Sequence, residues 1–423
     1  SAGAASATFP SYGVFMKAVI LAANYSPRLL PFTETRAKPM IRIAGRPILE
    51  SILDGLHNAG VHEALVVVHH EQQALRDHFG DGSDFGMSLE YVEQPELLGI
   101  GHALSCCESY LKRQPFLLVY GDVLADGNPV PQLLRVFAET GREVALVTLP
   151  RNSNEYGNVY LDNEMKIHRF IEKPQGRVQS NYVFAGGFVL QPRIFDLLRQ
   201  HDQSIEACYQ YLVQSEGLHA DLWEGTWIDV IYPWHILEAN QMMMSAWRTA
   251  HIHQSARLAG NVQLEGPVVI ERNVMIESGA VLKGPCFIGE GSYIGNNSLV
   301  RTFSAVGPNS VVGYGSELKN CVLFGKSDLG RLSFIGDSVI GEGVSLGTAL
   351  TTVNHFSDGK NIVVSTANEP VDSGLPKLGA FIGDRVRIGA RQTLAPATIV
   401  PADSFIEDNI SLRGWVPDNQ KES

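Results

Sequence analysis

Two architectures in series are predicted by this sequence: an α/β domain with a doubly wound, mostly parallel sheet and, after it, a parallel β-helix. Three observations predict them. Short aliphatic runs alternate with amphipathic stretches from Lys17 to about Tyr232. From Val262 an aliphatic residue, often followed by glycine, recurs with a six-residue period. A helix-like segment, Pro233 to about His253, lies between them, and at 423 residues the chain exceeds what one hydrophobic core commonly serves.

The α/β part rests on its runs. Ala18 to Leu21, Ala64 to Val68 and Phe116 to Tyr120 are apolar over strand length, with helical patterns such as Ile48 to Ala59 and His102 to Leu111 between them. Strands that are apolar throughout are buried on both faces, the condition of a parallel sheet between two helical layers. Ligands of such sheets bind beyond the carboxyl ends of the strands, so chemistry is expected in the loops that follow strands.

The repeat runs through Ile270, Ile276, Val281, Ile288, Ile294, Val306, Val312, Ile335, Ile340, Leu346, Ile382 and Ile388, most of them followed by glycine. A six-residue period is neither helix nor alternating strand; it fits the flat sides of a β-helix on which aliphatic residues stack inward. One coil cannot bury its own face, so many coils must stack. Thr352 to Pro376 breaks the period and Lys377 to Gly383 restores it, which makes this segment an excursion of the kind that carries function on rigid scaffolds. The expected division is residues 1–15 as a tag or disordered leader before a start at Met16, 16–253 as the α/β domain with its linker helix, and 254–423 as the β-helix.

Composition excludes several classes. A net charge of -12 argues against nucleic acid and anionic membrane surfaces, which reward a broad basic face. No apolar run approaches the ~20 residues needed to cross a bilayer. The five cysteines have neither metal-ligand spacing nor the density of a disulfide framework, and a reducing cytoplasm suits them.

The most informative stretch runs from Ala18 to Thr33 and on to Lys38, Pro39 and Met40. It resembles the signature of the sugar-1-phosphate nucleotidyltransferases that make nucleotide sugars, in which a strand leads into a glycine loop with a following arginine and lysine. The resemblance implies that Leu21, Ala23 and Asn24 belong to the loop that wraps a triphosphate, whose phosphates Arg28 and Lys38 neutralise. Later motifs keep the family's order. Gly121-Asp122 after a buried strand, and Trp227-Ile228-Asp229-Val230 with Pro233-Trp234, match its two metal aspartates, so Asp122 and Asp229 are expected to hold Mg²⁺, a cation that prefers carboxylate and phosphate oxygens. Gln94 with Gly99 resembles the nucleobase clamp, which favours UTP or dTTP. Gly157 in Tyr156 to Val159, Glu172 and Lys173 in Ile171 to Pro174, and Gly186 resemble the elements that hold the sugar phosphate.

In that family the attacking phosphate oxygen is already anionic, so the expected chemistry is alignment and charge neutralisation without a protein nucleophile. Gly330 to Ser338 resembles part of the acetyltransferase half of bifunctional uridylyltransferase/acetyltransferases, which implies a left-handed β-helix and a homotrimer. The chain also departs from both patterns. Asn24 and Ser26 replace glycines, Pro27 replaces threonine or serine, and Ala37 replaces a proline. Arg331 and Phe334 stand where the acetyltransferase carries histidine and tyrosine, while Asn354 and Lys377 remain. Three readings follow: an active nucleotidyltransferase, a catalytically degenerate nucleotide-sugar-binding scaffold, and an acyltransferase acting through the β-helix. Phe184, where relatives often have asparagine, leaves the sugar open.

Overall fold

The computed structural model describes residues 16–23, 26–69, 73–111, 113–150, 156–171, 180, 182–215, 217–367 and 369–416; the expected leader, 1–15, lies outside them. Two compact units divide the chain. One holds the chain up to Asn24 and Leu49–Ile228, the other Tyr25–Ile48 and Asp229–Ser423.

In chain order, β1 (Lys17–Leu21) leads through three short 3₁₀ turns (Pro27–Leu29, Phe32–Glu34, Lys38–Met40) to a hairpin of β2 (Arg42–Ile43) and β3 (Arg46–Pro47) and to α1 (Ile48–Asn58). Then come β4 (Glu63–Val68), α2 (Gln73–Phe79), β5 (Ser88–Glu93), α3 (Ile100–Cys107), β6 (Phe116–Tyr120), β7 (Val123–Ala125), α4 (Val130–Thr140) and β8 (Val144–Thr148). β9 (Asn158–Leu161), β10 (Lys166–Ile171), β11 (Tyr182–Leu190), α5 (Arg193–Gln200), α6 (Ile205–Ser215), β12 (Leu218–Leu222), β13 (Trp227–Asp229) and α7 (Pro233–Ser245) follow.

The first unit is built on a nine-stranded sheet of order β5-β4-β1-β6-β11-β8-β12-β10-β9. The aliphatic runs form β4, β1 and β6 of its parallel part, which β5 extends, with β8 and β12 also parallel to each other. Beyond β6 the sheet turns mixed, because β11 pairs antiparallel with β6 and β8, and β10 antiparallel with β9 and β12. Only residues 162–165 join β9 to β10, and so short a connection permits only an antiparallel pair. Side chains alternate across β8: Ala145 and Val147 pack into the cluster that includes residues of α3, α5 and α6, while Leu146 meets Gly187 on the side where α4 packs.

In the second unit three eight-stranded parallel sheets form the sides of the β-helix, the parallel architecture expected from the repeat. Strands pair with the strand one coil on, Val269 opposite Phe287 and Phe287 opposite Ala305, so that Ile270, Ile288, Val306, Leu323, Ile340, Ile382 and Val400 form one inward column. Leu258, Ile276, Ile294, Val312, Leu329, Leu346, Ile388 and Ile406 form a second. The excursion is itself packed: Val363–Ser365 and Pro370–Asp372 make a hairpin, and Ile362 and Val364 are buried.

The helix expected to reach about His253 ends at Ser245, and His251 lies in the first strand of the β-helix, paired in register with Val269. Hydrogen bonds to the next coil override the local pattern there, His253 N–H donating to the Ile270 carbonyl at 2.9 Å.

Candidate functional site

In the first unit β1 runs parallel between β4 and β6. The sheet extends past β1 by two hydrogen bonds, Ala22 N–H to the Val67 carbonyl (2.9 Å) and Gly121 N–H to the Leu21 carbonyl (3.0 Å). A Cβ on Gly121 would lie 2.5 Å from the Leu21 oxygen, so only glycine lets the chain turn here, and Asp122 is delivered at the carboxyl end of β6, half-buried. Leu21 is half-buried and Ala23 buried; Asn24 lies outside the described residues.

Gln94 follows β5, its N–H bonded to the Val68 carbonyl (2.8 Å) and its buried side-chain amide donating to the Gly99 carbonyl at 3.1 Å. Gly99 precedes α3 at φ +93, in the region that favours glycine, and has open space where a Cβ would sit. His102 lies inside α3 with Nδ1 3.0 Å from the Glu96 carbonyl, a local tie.

Gly157 is half-buried between Tyr156, whose ring meets Trp227 edge-on at 5.3 Å, and Asn158, which starts β9. Gly186, within β11 at φ +78, would place a Cβ 3.0 Å from the Tyr120 ring. Trp227 Nε1–H donates to the Ala185 carbonyl at 3.0 Å, so the tryptophan of the second aspartate motif pins the strand that presents Gly186. Phe184 is turned into an aromatic cluster with Phe170, Phe188 and Tyr209 at centroid distances of 5.0, 5.2 and 5.4 Å. Glu172 and Lys173 lie outside the described residues.

The second unit carries the rest of the signature. Ser26 is buried, and its carbonyl accepts from Leu29 N–H (3.1 Å) and the Thr33 hydroxyl (2.8 Å). Pro27 opens the turn Pro27–Leu29, a position where a backbone N–H has no partner within the helix, so the turn itself tolerates it. Arg28 is exposed, its guanidinium 6.0 Å from the Tyr232 ring centroid. Lys38 opens the turn Lys38–Met40 and is almost wholly buried at 3% exposure, with Nζ 3.1 Å from Asp229 Oδ1. A buried ammonium needs such a partner, because desolvation of an unpaired charge is costly. The backbone around Asp229 is held by His235, whose Nδ1 lies 3.0 Å from the Asp229 carbonyl and 3.2 Å from Ile231 N.

All five cysteines are free, and burial pushes the thiols of Cys107, Cys286 and Cys321 up to about 12 and that of Cys208 up to about 11, out of reach of the thiolate form.

The acetyltransferase-like segment takes a definite form. Asp337 is buried; Oδ2 accepts from Lys319 Nζ (2.7 Å) and Asn354 Nδ2 (2.5 Å), and Oδ1 from Asn320 Nδ2 (2.8 Å). Arg331, His355 and Lys377 are exposed.

Sequence reasoning missed Thr35, Arg36 and Asp384. The Thr35 hydroxyl and the Arg36 guanidinium both bond to Asp384 Oδ2, some 350 residues along the chain. A contact this distant between two ordinary-looking polar positions leaves no local pattern.

Comparison with known proteins gives matches in both parts of the chain. Residues 17–245 match the nucleotidyl transferase family and 282–416 match the GMPPB C-terminal domain. The chain is 33% identical over 404 residues to the bifunctional protein GlmU of Methanococcus maripaludis, covering 93% of this chain and 94% of that one. It is 29% identical over 401 residues to a bifunctional sugar-1-phosphate nucleotidylyltransferase/acetyltransferase of Sulfurisphaera tokodaii, covering 92% and 94%. A Bacillus anthracis crystal structure provisionally assigned as a glucose-1-phosphate thymidylyltransferase shares the fold, with a TM-score of 0.51 at 20% identity, over 54% of this chain and 95% of that one.

Proposed function

Because the chain belongs to the nucleotidyl transferase family, we propose that it transfers the nucleotidyl group of a pyrimidine triphosphate, UTP or dTTP, to a sugar 1-phosphate. The anionic sugar phosphate oxygen attacks the α-phosphorus. The new P–O bond forms as the bond to the bridging oxygen breaks, and pyrophosphate leaves with that electron pair. No proton has to be removed from the nucleophile, so what is required is alignment and positive charge in a dry setting.

The observation that carries this reading is Lys38, buried in the signature turn with its ammonium on Asp229. Lys38 and Arg28 meet the triphosphate, and Leu21, Ala23 and Asn24 belong to its loop. Gln94 and Gly99 read the pyrimidine edge; Gly157, Gly186, Glu172 and Lys173 hold the sugar phosphate. Asp122 and Asp229 would hold Mg²⁺, and a donor set of carboxylate oxygens without thiolate or imidazole fits that ion. Bound there, it would add positive charge against the phosphates. The transferase part precedes a β-helix part that starts at His251 instead of 254 and assembles a homotrimer; light scattering at three times the chain mass tests the assembly. Among the described residues no helix is long and apolar enough to cross a membrane, and a cytoplasmic setting matches the free cysteines.

Pyrophosphate release across a panel of triphosphates and sugar 1-phosphates tests the activity. Release that requires Mg²⁺ and collapses in Asp122→Asn is expected. Binding of nucleotide sugar with no release from any pair would instead leave the chain a degenerate scaffold.

Acyl transfer by the β-helix is a second reading, favoured by one observation. Asn354 gives its amide N–H to the Asp337 carboxylate, so its oxygen faces His355 Nδ1 at 3.1 Å. Nδ1 must then carry the proton, which leaves Nε2 able to accept one, as a general base does. Coenzyme A released from acetyl-coenzyme A by the wild type and not by His355→Ala would support it.

A further inference from the structure

One side of the β-helix differs from the other two in what its outward side chains meet. Its outward column includes Phe287, Ala305, Val322, Val339, Phe381 and Ile399, all buried. The residues that pack there come from 26–48, the segment that carries the basic signature, together with α7. Phe32 meets Phe324 edge-on at 5.3 Å, and a Cβ on Gly45, in the β2–β3 turn, would lie 2.4 Å from the Phe287 ring.

The polar ties are concentrated on the stretch just before Lys38. The Arg36 guanidinium is about nine-tenths buried, lies 4.6 Å over the Phe324 ring, and pairs with Asp384 and, at 3.8 Å, with Glu342. Thr35 gives its hydroxyl hydrogen to the same Asp384 oxygen. The other oxygen of Asp384 accepts Glu342 N–H at 2.7 Å, so the carboxylate is itself fixed in the β-helix, over a Gly341 whose Cβ would lie 2.5 Å from it. Glu34 adds a further tie, its carboxylate accepting Ala402 N–H at 2.7 Å.

From Arg36 to Lys38 there is one intervening residue, extended Ala37, and then a turn stiffened by Pro39 and closed by Ile41 N–H on the Lys38 carbonyl at 3.0 Å. Little freedom separates the anchor from the ammonium. We propose that Asp384 of the β-helix is a positioning residue for nucleotidyl transfer: through Thr35 and Arg36 it fixes the place of the Lys38 ammonium against the triphosphate. The β-helix then contributes to the catalytic geometry as well as to assembly. The inference rests on the nucleotidyl-transfer reading.

The experiment compares wild type, Asp384→Asn, Asp384→Ala, Arg36→Lys and the double variant Arg36→Lys/Asp384→Asn, with Asp403→Asn, an exposed β-helix aspartate, as control. For each, kcat and the KM for triphosphate and for sugar 1-phosphate are measured beside the thermal transition. A small misplacement of a charge that acts on the reacting phosphates costs about 10- to 100-fold. The expected result is a loss of that size in kcat/KM for triphosphate in both Asp384 variants, carried partly by a raised KM for triphosphate, with an unchanged KM for sugar 1-phosphate. The double variant should be no worse than its weaker parent, because both act through one link. A merely structural role would lower kcat in proportion to the folded fraction and leave both KM values alone; that result, or Asp384 variants equal to Asp403→Asn, overturns the proposal. If the wild type itself releases no pyrophosphate, the functional reading fails first, and the two failures are told apart.

Discussion

Along one side of the β-helix the outward column Phe287, Ala305, Val322, Val339, Phe381 and Ile399 is buried, whereas along the next side the matching column runs Met275, Tyr293, Val311, Asp328, Ser345, Arg387 and Phe405, most of it exposed. Both sides obey one repeat and stack the same kind of aliphatic residue inward. The repeat therefore specifies the scaffold, and the outward residues specify what each side is for. A column that is apolar on both faces is a sheet covered on both faces, the logic that identified the buried strands of the α/β unit.

The largest expected effect in testing this contrast comes from a charge on each side. Val339→Asp on the covered side should cost about 3–5 kcal/mol in denaturant unfolding, the range for an uncompensated buried charge, and Val311→Asp on the open side less than about 0.5. An equal loss at Val311 would mean that a partner chain covers the second side as well, which would identify it as the trimer face.

Gly45→Ala comes next. Its φ of +89 and the Phe287 ring at 2.4 Å from the added Cβ combine strain with overpacking, so a loss of about 1–3 kcal/mol is expected.

A contrast between two buried aspartates gives a smaller effect. Both Asp384 oxygens have partners, whereas Asp221 of β12 is buried with Oδ2 unsatisfied, and desolvation raises its pKa from 3.8 to about 6. The folded state thus holds this proton more tightly than the unfolded state. The resulting stability is fully present below pH 3.8 and is lost as pH rises through about 6. Asp221→Asn should therefore gain about 1–2 kcal/mol at neutral pH and flatten the stability profile across that window, as read by urea melts at several pH values.

Much of this architecture was legible in the sequence because it rests on periodicity. The aliphatic runs are β1, β4 and β6, and the six-residue repeat marks the inward columns of the β-helix, except that Leu282 and not Val281 is the inward residue of its coil. Where hydrogen bonding across the fold decides, local pattern does not suffice: β11 sits antiparallel between β6 and β8, and His251 joins a coil instead of ending α7. For the candidate site, Lys38 and Asp229 could be named from their motifs, and their ion pair could not. Pro27, which has no backbone N–H to donate, occupies the first position of a turn in the fold, so any loss falls on the substrate contact alone. Arg36 and Asp384 were invisible, since neither belongs to a motif and their pairing depends on which side of the β-helix is covered.

The central claim is that a buried Lys38 serves nucleotidyl transfer, and product identity tests it most directly. The protein is incubated with Mg²⁺, UTP or dTTP and a panel of sugar 1-phosphates, and nucleoside diphosphate sugar and pyrophosphate are quantified together by mass spectrometry. The account predicts the two products in equal amounts for at least one pair, with the rate reduced about 100- to 1,000-fold in Lys38→Met, as for loss of a group that stabilises transition-state charge. Absence of both products from every pair, or a Lys38→Met rate equal to that of the wild type, would contradict it.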